Sequence, residues 1–261
     1  MPLTLTPLPN IPLIQPGDDL ARMILRALDT SGLQLETGDI LVLTQKIVSK
    51  AEGRLVHLPT ISPSPAALEL AEKSGKDPRL AELILRESNA ILRTRPGSVI
   101  VEHRLGFVCA NAGIDQSNVA ENGATCSEWV LLLPENPDKS AAQIRARLEA
   151  ATPWQGQAGK RIGVMIIDSH GRAWRIGTVG MVIGLSGLPG IVDLRGTTDL
   201  SGYTLQITIV GAADELAAAA SLVIGQAAEG TPVVHVRGFP YPLREGSLKE
   251  LLRPKDQDMF R

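Results

Sequence analysis

Cysteine and histidine are scarce in this sequence, which contains two and four of them among 261 residues. Cys109 and Cys126 do not form a zinc-type spacing, and both are interpreted as small buried thiols. The histidines lack i, i+4 pairing and are interpreted as ordinary surface or core residues; they are His57, His103, His170 and His235. Zinc chemistry and a cysteine nucleophile are therefore not expected.

A strong charge imbalance and long apolar runs are also missing. The net charge is -2, the sequence pI is about 6.1, and acidic and basic residues alternate along most of the chain. This pattern gives no basic footprint for a nucleic-acid backbone. No apolar run approaches the roughly 20 residues that span a bilayer, and the first residues lack a basic segment followed by an apolar core. We expect a cytoplasmic protein with neither nucleic acid nor a membrane as partner.

The familiar phosphate-binding loops are absent as well. The sequence contains no G-x-x-x-x-G-K-[ST], and "GLSGLPG" has the wrong glycine spacing for a dinucleotide fingerprint. A P-loop fold and a Rossmann fold are thus excluded.

Aromatic residues are also few. They amount to 3% of the chain, so a bound ring system has few aromatic side chains to stack on; Trp154 and Trp174 are interpreted as core residues.

The sequence alternates short apolar runs with amphipathic ones and predicts an α+β fold with mixed sheets and packed helices. Its length and its 44% of hydrophobic residues suit one unit over residues 1–261 with two lobes. The single candidate for a seam is "TPWQGQAGK", residues 152–160. A two-lobed α+β unit is favoured over two independent domains.

Periodicity and capping signals place the individual elements. Predicted helices cover 17–32, 66–73, 78–92, 140–151 and 213–228, with a further frayed helix in 243–261. Predicted strands cover 38–44, 97–102, 106–111, 129–134, 160–168, 203–211 and 232–238. Residues 45–58 are predicted to form a short helix that returns as a strand, with a proline-rich loop over 59–65.

Oxygen-bearing residues follow two predicted strands. Asp115 follows "GFVCANAGI", and Asp168 and Ser169 follow "RIGVMII". Carboxylate and hydroxyl oxygens suit a hard divalent cation such as Mg²⁺ or Mn²⁺, and strand ends are where an open sheet exposes its ligands. Two simpler interpretations stay open: Asp115 can be a turn former, and "DSHGR" around Asp168 can be a plain hairpin loop.

Basic and small residues add candidates for anion binding. Lys50, Arg172 and Arg175 can contact phosphate or carboxylate oxygens, although most such residues merely face water. Gln226 directly follows Gly225, which either permits close approach of a ligand or marks the end of a helix.

Seven ordered motifs resemble the coenzyme F420-0:L-glutamate ligase family over residues 10 to 238. They are "PGDDL", "TQKIVSKAEGRLV", "LRESNAILRTRPG", "GFVCANAGIDQSNV", "IIDSHGRAWRIGTVGMVIGLSG", "DLRGTTDLSGY" and "ADELAAAASLVIGQAAEGTPVVHVRG". The resemblance implies a homodimeric α+β ligase that uses GTP to join L-glutamate to the carboxylate of the deazaflavin precursor coenzyme F420-0. It further implies an acyl-phosphate intermediate, release of GDP and phosphate, and a gamma-linked polyglutamate tail of open length.

The resemblance also assigns roles to positions of this sequence. The positions matching metal ligands are Asp115, Asp168, Ser169 and Gln226, and the two carboxylates are the catalytic candidates. The positions matching nucleotide contacts are Ile11, Pro12, Leu13, Ile14, Gln45, Lys50, Asn118, Gly225, Gln226 and Gly230. Two Mg²⁺ or Mn²⁺ ions per site are implied, with K⁺ as an additional candidate.

The chain departs from the family pattern at three places. Gln45 stands where members often have Thr or Ser, His170 replaces an aromatic residue, and the stretch 120–129 is longer and more polar than usual. No C-terminal flavin-binding domain is expected. Two other functions remain open: a metal-dependent phosphohydrolase that activates water with the same ligands, and a non-catalytic deazaflavin- or nucleotide-binding protein.

Overall fold

The computed structural model describes residues 2–117, 119, 128–152 and 161–259. The helices are α1 (Leu20–Thr30), α2 (Gln45–Ala51), α3 (Pro65–Ser74), α4 (Pro78–Arg86), α5 (Pro137–Ala151) and α6 (Ala212–Ile224). The strands are β1 (Thr4–Pro7), β2 (Ile40–Thr44), β3 (Leu55–His57), β4 (Ser88–Arg95), β5 (Ser98–His103), β6 (Val108–Ala110), β7 (Trp129–Leu131), β8 (Gly163–Arg172), β9 (Arg175–Ser186), β10 (Val192–Asp193), β11 (Ile209–Val210) and β12 (Val233–Arg237). Within the described residues, no helix is long and apolar enough to cross a membrane.

A five-stranded mixed sheet forms the centre of the fold, with strand order β1-β12-β2-β8-β9. The neighbours β2 and β8 run parallel, and the other pairs are antiparallel. Odd and even residues of β2 enter different hydrophobic cores, because successive side chains of a strand point to opposite faces. Helices α1 and α5 cover one face and α6 covers the other, which explains why β2 is a continuous apolar run.

A second region has its own hydrophobic core, built from α3, α4 and the three-stranded antiparallel sheet β4-β5-β6. Strands β3 and β7 form a separate antiparallel pair beside it. The α+β fold class with mixed sheets is therefore confirmed. The seam predicted at 152–160 falls on residues that, from 153 onward, lie outside the described part of the chain.

Helix α1 shows why local sequence signals worked well in the first half of the chain. The Asp19 side chain accepts a hydrogen bond from the backbone N–H of Arg22 and caps the helix start. The predicted apolar face is buried at Leu20, Ile24, Ala27 and Leu28. Most other predicted elements through residue 151 are likewise confirmed to within a few residues.

The helix predicted over 78–92 is wrong in its second half. Helix α4 ends at Arg86, and β4 begins at Ser88 and pairs with β5. The chain leaves the helix at Glu87, whose carboxylate is held by Arg54 and Arg104 from other parts of the chain. These long-range contacts override a helical pattern that extends through "SNAIL".

Four predictions in the second half of the chain are also wrong. The strand over 203–211 shrinks to the two residues of β11, and the C-terminal helix is replaced by short 3₁₀ turns at Leu248–Glu250 and Lys255–Gln257. Helix α6 ends at Ile224, because Gly225 adopts a positive φ of 80° that cannot continue a helix. Trp174, predicted in the core, is exposed.

His103 lies in the second core and gives stability a pH dependence. Its side chain is fully buried, Nδ1 accepts the Leu105 N–H, and Nε2 has no hydrogen-bond partner among the residues that the structure describes. Burial lowers the pKa of His103 to about 4, so the folded protein keeps the ring neutral while the unfolded chain binds a proton below about pH 6.5.

The free energy of unfolding should therefore fall as the pH drops from about 6.5 towards 4. Between pH 7 and pH 5 the contribution of His103 is a loss of about 2 kcal/mol, at about 1.4 kcal/mol per pH unit below 6.5. Urea unfolding of the wild type and of His103→Phe at both pH values measures it. Equal pH dependence in the two proteins would rule out the assignment.

Candidate active site

A cavity of about 340 Å³ opens at one end of the central sheet. Four segments line it: Ile11–Ile14 after β1, the stretch from Thr44 to Lys50 at the junction of β2 and α2, Ile167–Ser169 of β8, and the end of α6 (Ser221 and Ile224) with the loop from Gly225 to Pro232 that follows it. The pairing of β1, β12, β2 and β8 brings these distant segments together. The cavity is the candidate active site.

The loop after α6 depends on glycine at position 225. The Glu229 side chain folds back over Gly225, and its carboxylate accepts the Ala227 N–H at 2.8 Å. A Cβ atom at Gly225 would lie 2.2 Å from Cδ of Glu229, and the positive φ disfavours any other residue. Backbone hydrogen bonds from residues such as Ala227 lower the pKa of Glu229, so this carboxylate stays ionised at the cavity rim.

Ser169 and Gln226 place two side-chain oxygens, both possible metal ligands, next to each other in the cavity wall. Ser169 Oγ donates to Gln226 Oε1 at 2.9 Å, and Gln226 Nε2 donates to Ser221 Oγ at 3.0 Å. Helix α6 approaches this close because Gly180 lies opposite Ser169 on β9, where a Cβ would meet Ser221 Cβ at 2.5 Å. Adjacent ligands of an octahedral Mg²⁺ stand about 2.9 Å apart, given bonds of about 2.05 Å, so the two oxygens fit one ion.

Asp168 lies on the opposite face of β8 from Ser169, since consecutive residues of a strand alternate. Its carboxylate Oδ2 is 3.1 Å from Nε2 of the buried His170, whose ring packs against Phe107. Burial, together with the nearby charge of Asp168, raises the pKa of Cys109 to about 12. Asp168 therefore faces the second region of the fold, with His170 orienting its carboxylate.

Asp115 and Asp168 were both predicted to lie at strand ends, and neither prediction is correct. Asp168 and Ser169 lie inside β8, which continues to Arg172 because it pairs along its length with β9. Strand β9 was absent from the predicted strands, and the plain-loop interpretation of "DSHGR" is likewise wrong. Asp115 lies beyond β6 and a short turn, in an isolated bridge with Leu131.

Asp115 combines the turn-forming role with an ion pair. Its Oδ1 accepts hydrogen bonds from the backbone N–H and the hydroxyl of Ser117, both at 2.9 Å. Its Oδ2 lies 2.9 Å from Nζ of Lys46, which lines the cavity. Asp115 itself is not among the lining residues and reaches the cavity through Lys46.

Lys50 and Gln45 present unpaired polar groups to the same cavity. Lys50 is 9% exposed and, among the described residues, its ammonium has no carboxylate partner. Gln45 is almost fully buried; its Oε1 accepts the Ser49 hydroxyl, and its Nε2 has no hydrogen-bond partner in the part of the chain that the structure describes. A buried cation without a counterion and a buried donor without an acceptor are both costly, so they indicate that an anionic or acceptor-bearing ligand binds here.

The structure thus brings together most of the residues selected from sequence. The cavity is lined by Ile11, Pro12, Leu13, Ile14, Gln45, Lys50, Asp168, Ser169, Gly225, Gln226 and Gly230. Asn118 lies outside the described residues, and Arg172 and Arg175 flank the turn of the β8–β9 hairpin and are not among the lining residues. Lys46 was missed, although it adjoins Gln45 in the quoted "TQKIVSK" motif.

The possible metal donors are all oxygen atoms. In residues 2–117, 119, 128–152 and 161–259, no group of three or more His, Cys, Asp or Glu side chains is placed to hold a metal ion. The predicted set instead offers two carboxylates, one hydroxyl and one amide oxygen. Such a set suits a hard divalent cation that keeps water and substrate oxygens in its remaining positions.

Comparison with known proteins gives one consistent result. The family model described as F420-0:Gamma-glutamyl ligase matches residues 9–238. A coenzyme F420:L-glutamate ligase from Methanothermobacter thermautotrophicus is 48% identical over 263 residues, covering 100% of both chains. Ligases of the same name from Methanopyrus kandleri and Methanocaldococcus jannaschii are 46% and 44% identical, covering 99% and 87% of this chain and 98% and 86% of their own.

Proposed function

Since this chain belongs to the F420-0:gamma-glutamyl ligase family, we propose that it joins L-glutamate to the carboxylate of coenzyme F420-0 in a GTP-dependent reaction. The observation that carries the proposal is that one cavity gathers most of the positions matched to nucleotide contacts and three of the four matched to metal ligands, Asp168, Ser169 and Gln226. Its 340 Å³ lies within the range of small-molecule sites.

The cavity walls suit a nucleoside triphosphate. Lys50 supplies a positive charge without a counterion, and the Gly225 to Gly230 loop brings backbone close to a ligand. Ile11 and Leu13 supply apolar wall on the other side, where a base or ribose can pack. Gln45 Nε2 is available to donate a hydrogen bond to an acceptor of the nucleotide.

Divalent cations, Mg²⁺ or Mn²⁺, are part of the proposal. The alternation along β8 places the proposed ligands on two faces: Asp168 on one, and Ser169, with Gln226 beside it, on the other. Asp115 is the fourth proposed ligand, and its carboxylate is paired with Lys46. Bound there, such ions would neutralise phosphate charge and favour phosphoryl transfer. His170 holds the Asp168 carboxylate, and Ser221 holds the Gln226 amide.

The remaining chemistry needs positioning rather than an enzyme nucleophile. A carboxylate is a poor electrophile, so the proposed route transfers the terminal phosphoryl group to it and lets the glutamate amine displace phosphate from the acyl phosphate. Cys109 cannot serve as a covalent nucleophile near Asp168, because burial raises the pKa of its thiol to about 12. Holding both substrates in one site supplies about 7–11 kcal/mol in well-oriented cases.

The test is mass spectrometry of the deazaflavin after incubation with GTP, Mg²⁺ or Mn²⁺, L-glutamate and coenzyme F420-0, with each component omitted in turn. The proposal requires a mass increase of one or more glutamyl units that appears only in the complete mixture, and the increment also gives the tail length. Phosphate release from GTP without glutamylated product would establish a phosphohydrolase instead. Nucleotide binding with no turnover of any component would establish a binding protein.

Self-association into a homodimer is also proposed, through an arm comprising residues 193–210, which exposes several large apolar side chains. Leu200 and Ile207 in the arm are almost fully exposed, as are Trp174 and Ile176 in the β8–β9 hairpin. Exposed large apolar residues concentrated in neighbouring parts of the sequence are typical of protein interfaces.

We expect the double variant Leu200→Asp, Ile207→Asp to be monomeric. Each substitution places a charge where the proposed interface buries apolar surface. Size-exclusion chromatography with light scattering measures the mass, and Leu68→Asp, an exposed leucine on α3, is the matched control that should leave the dimer intact. A wild-type monomer, or a double variant that stays dimeric, would contradict the arm as interface.

A further inference from the structure

Lys46 connects the cavity to the turn of Asp115 and Ser117 through three contacts. Its Nζ lies 2.9 Å from Asp115 Oδ2, 2.8 Å from Ser117 Oγ and 3.3 Å from the Ser117 carbonyl oxygen. Lys46 lies on α2 and lines the cavity, whereas Asp115 and Ser117 lie beyond β6. Both charged side chains are partly buried, with 30% and 23% exposed.

The contacts of Asp115 leave one oxygen for a cation. Oδ1 is held by the N–H and the hydroxyl of Ser117, so Oδ2 is the oxygen that remains, and the Lys46 ammonium holds it. The backbone of Asp115 is fixed by hydrogen bonds to Leu131 in both directions, at 3.0 and 2.9 Å. The carboxylate is thus anchored, while Lys46 has a long side chain that can rotate.

We propose that Lys46 exchanges partners when a divalent cation binds. The inference rests on the proposed function, namely that Asp115 ligates a metal ion. Without metal, the ammonium neutralises the carboxylate; a cation at Oδ2 would lie close to the ammonium and repel it. Lys46 then swings into the cavity that it already lines, where the nucleotide phosphates give it an anionic partner.

This exchange makes Lys46 a positioning residue that couples metal binding to nucleotide binding. Metal alone must displace the ammonium into a cavity that holds no phosphate, which weakens metal binding. With phosphate present, the displaced ammonium gains a new partner, so each ligand strengthens the other. Linkage makes the effect reciprocal, and couplings of this kind are about 5- to 150-fold.

The test measures Mn²⁺ binding to the purified full chain by electron paramagnetic resonance of free Mn²⁺, with and without GDP and corrected for Mn²⁺ bound by free GDP. In Lys46→Met, the Kd for Mn²⁺ alone should tighten about fivefold or more, and the strengthening by GDP should shrink towards none. Lys46→Arg retains the charge and should keep the weak binding of metal alone. Lys46→Gln repeats the test if the methionine variant folds poorly.

Two control variants separate the possible failures. Lys73→Met also removes a lysine charge, but this exposed residue of α3 neither contacts Asp115 nor lines the cavity, so the variant should leave the Kd for Mn²⁺ alone within about twofold of wild type. Asp115→Asn should weaken Mn²⁺ binding. If it does not, the metal assignment in the proposed function is wrong; if it does while Lys46→Met binds Mn²⁺ no tighter than wild type, the exchange is wrong and the assignment stands.

Discussion

Turnover is expected to fall about a thousandfold or more when Asp168 is replaced by asparagine, because the substitution removes a charge that the proposed metal site requires. The asparagine keeps the size of the side chain and can still accept a hydrogen bond from His170. Initial rates of glutamyl transfer at saturating substrates measure the loss. Binding of Mn²⁺ should weaken in parallel, and the free energy of unfolding should change by less than about 1 kcal/mol.

The matched control is Asp29→Asn on α1, where the aspartate is exposed and outside the cavity. This variant should retain wild-type turnover. If Asp168→Asn keeps wild-type turnover as well, the carboxylate takes no part in the reaction. A large loss of stability in Asp168→Asn would instead assign Asp168 a structural role through its contact with His170.

The largest expected effect on stability is that of Asp39→Ala. Asp39 is 1% exposed and joins β2 to β12, since its carboxylate accepts hydrogen bonds from Arg237 at 2.9 and 2.8 Å and lies 2.8 Å from His235 Nε2. Removing the carboxylate takes the main counterion from Arg237, whose side chain is 29% exposed, and leaves the buried His235 ring without this partner. We expect the free energy of unfolding to fall by about 3–5 kcal/mol, measured by urea denaturation at pH 7.

The same carboxylate gives a pH signature. Burial alone would raise the pKa of Asp39, but the hydrogen bonds from Arg237 and His235 outweigh it and lower the pKa to about 2. Its contribution of about 2 kcal/mol is therefore complete above the unfolded value of about 4 and is lost as the pH falls towards 2. The difference in the free energy of unfolding between wild type and Asp39→Ala should therefore decrease as the pH falls from about 4 to about 2. The control Asp29→Ala should show neither the loss of stability nor this pH dependence.

The sequence predicted those elements whose side chains carry their own signals. Helix α1 has a capping aspartate and an apolar face, and β2 is a continuous apolar run; both were placed within a few residues. The cavity residues came from a different source, since ordered motifs resembling a family selected positions that the fold then gathered. Spacing alone would not have joined Ile11 to Gly225.

Other features were invisible because they depend on contacts between distant residues. Strand β9 contains three glycines and small or polar residues that suggest a loop, yet its pairing with β8 makes it a strand. The sequence of the "SNAIL" segment predicts a helix, but the contacts of Glu87 with Arg54 and Arg104 end the helix before it. Lys46 was missed because nothing in the sequence distinguishes it from the other lysines; only the fold shows that it pairs with Asp115.

The order of strands in the central sheet has a consequence for how the protein is made. Strand β1 pairs with β12, so Thr4 meets Arg237, and the cavity segments 11–14 and 225–232 adjoin these two strands. During synthesis, β1 cannot pair with β12 until almost the whole chain has been made, because β12 is the last strand in the sequence. Topologies dominated by pairings between residues distant in sequence fold slowly. Nucleotide added during refolding should therefore bind only in the last kinetic phase, when the sheet closes.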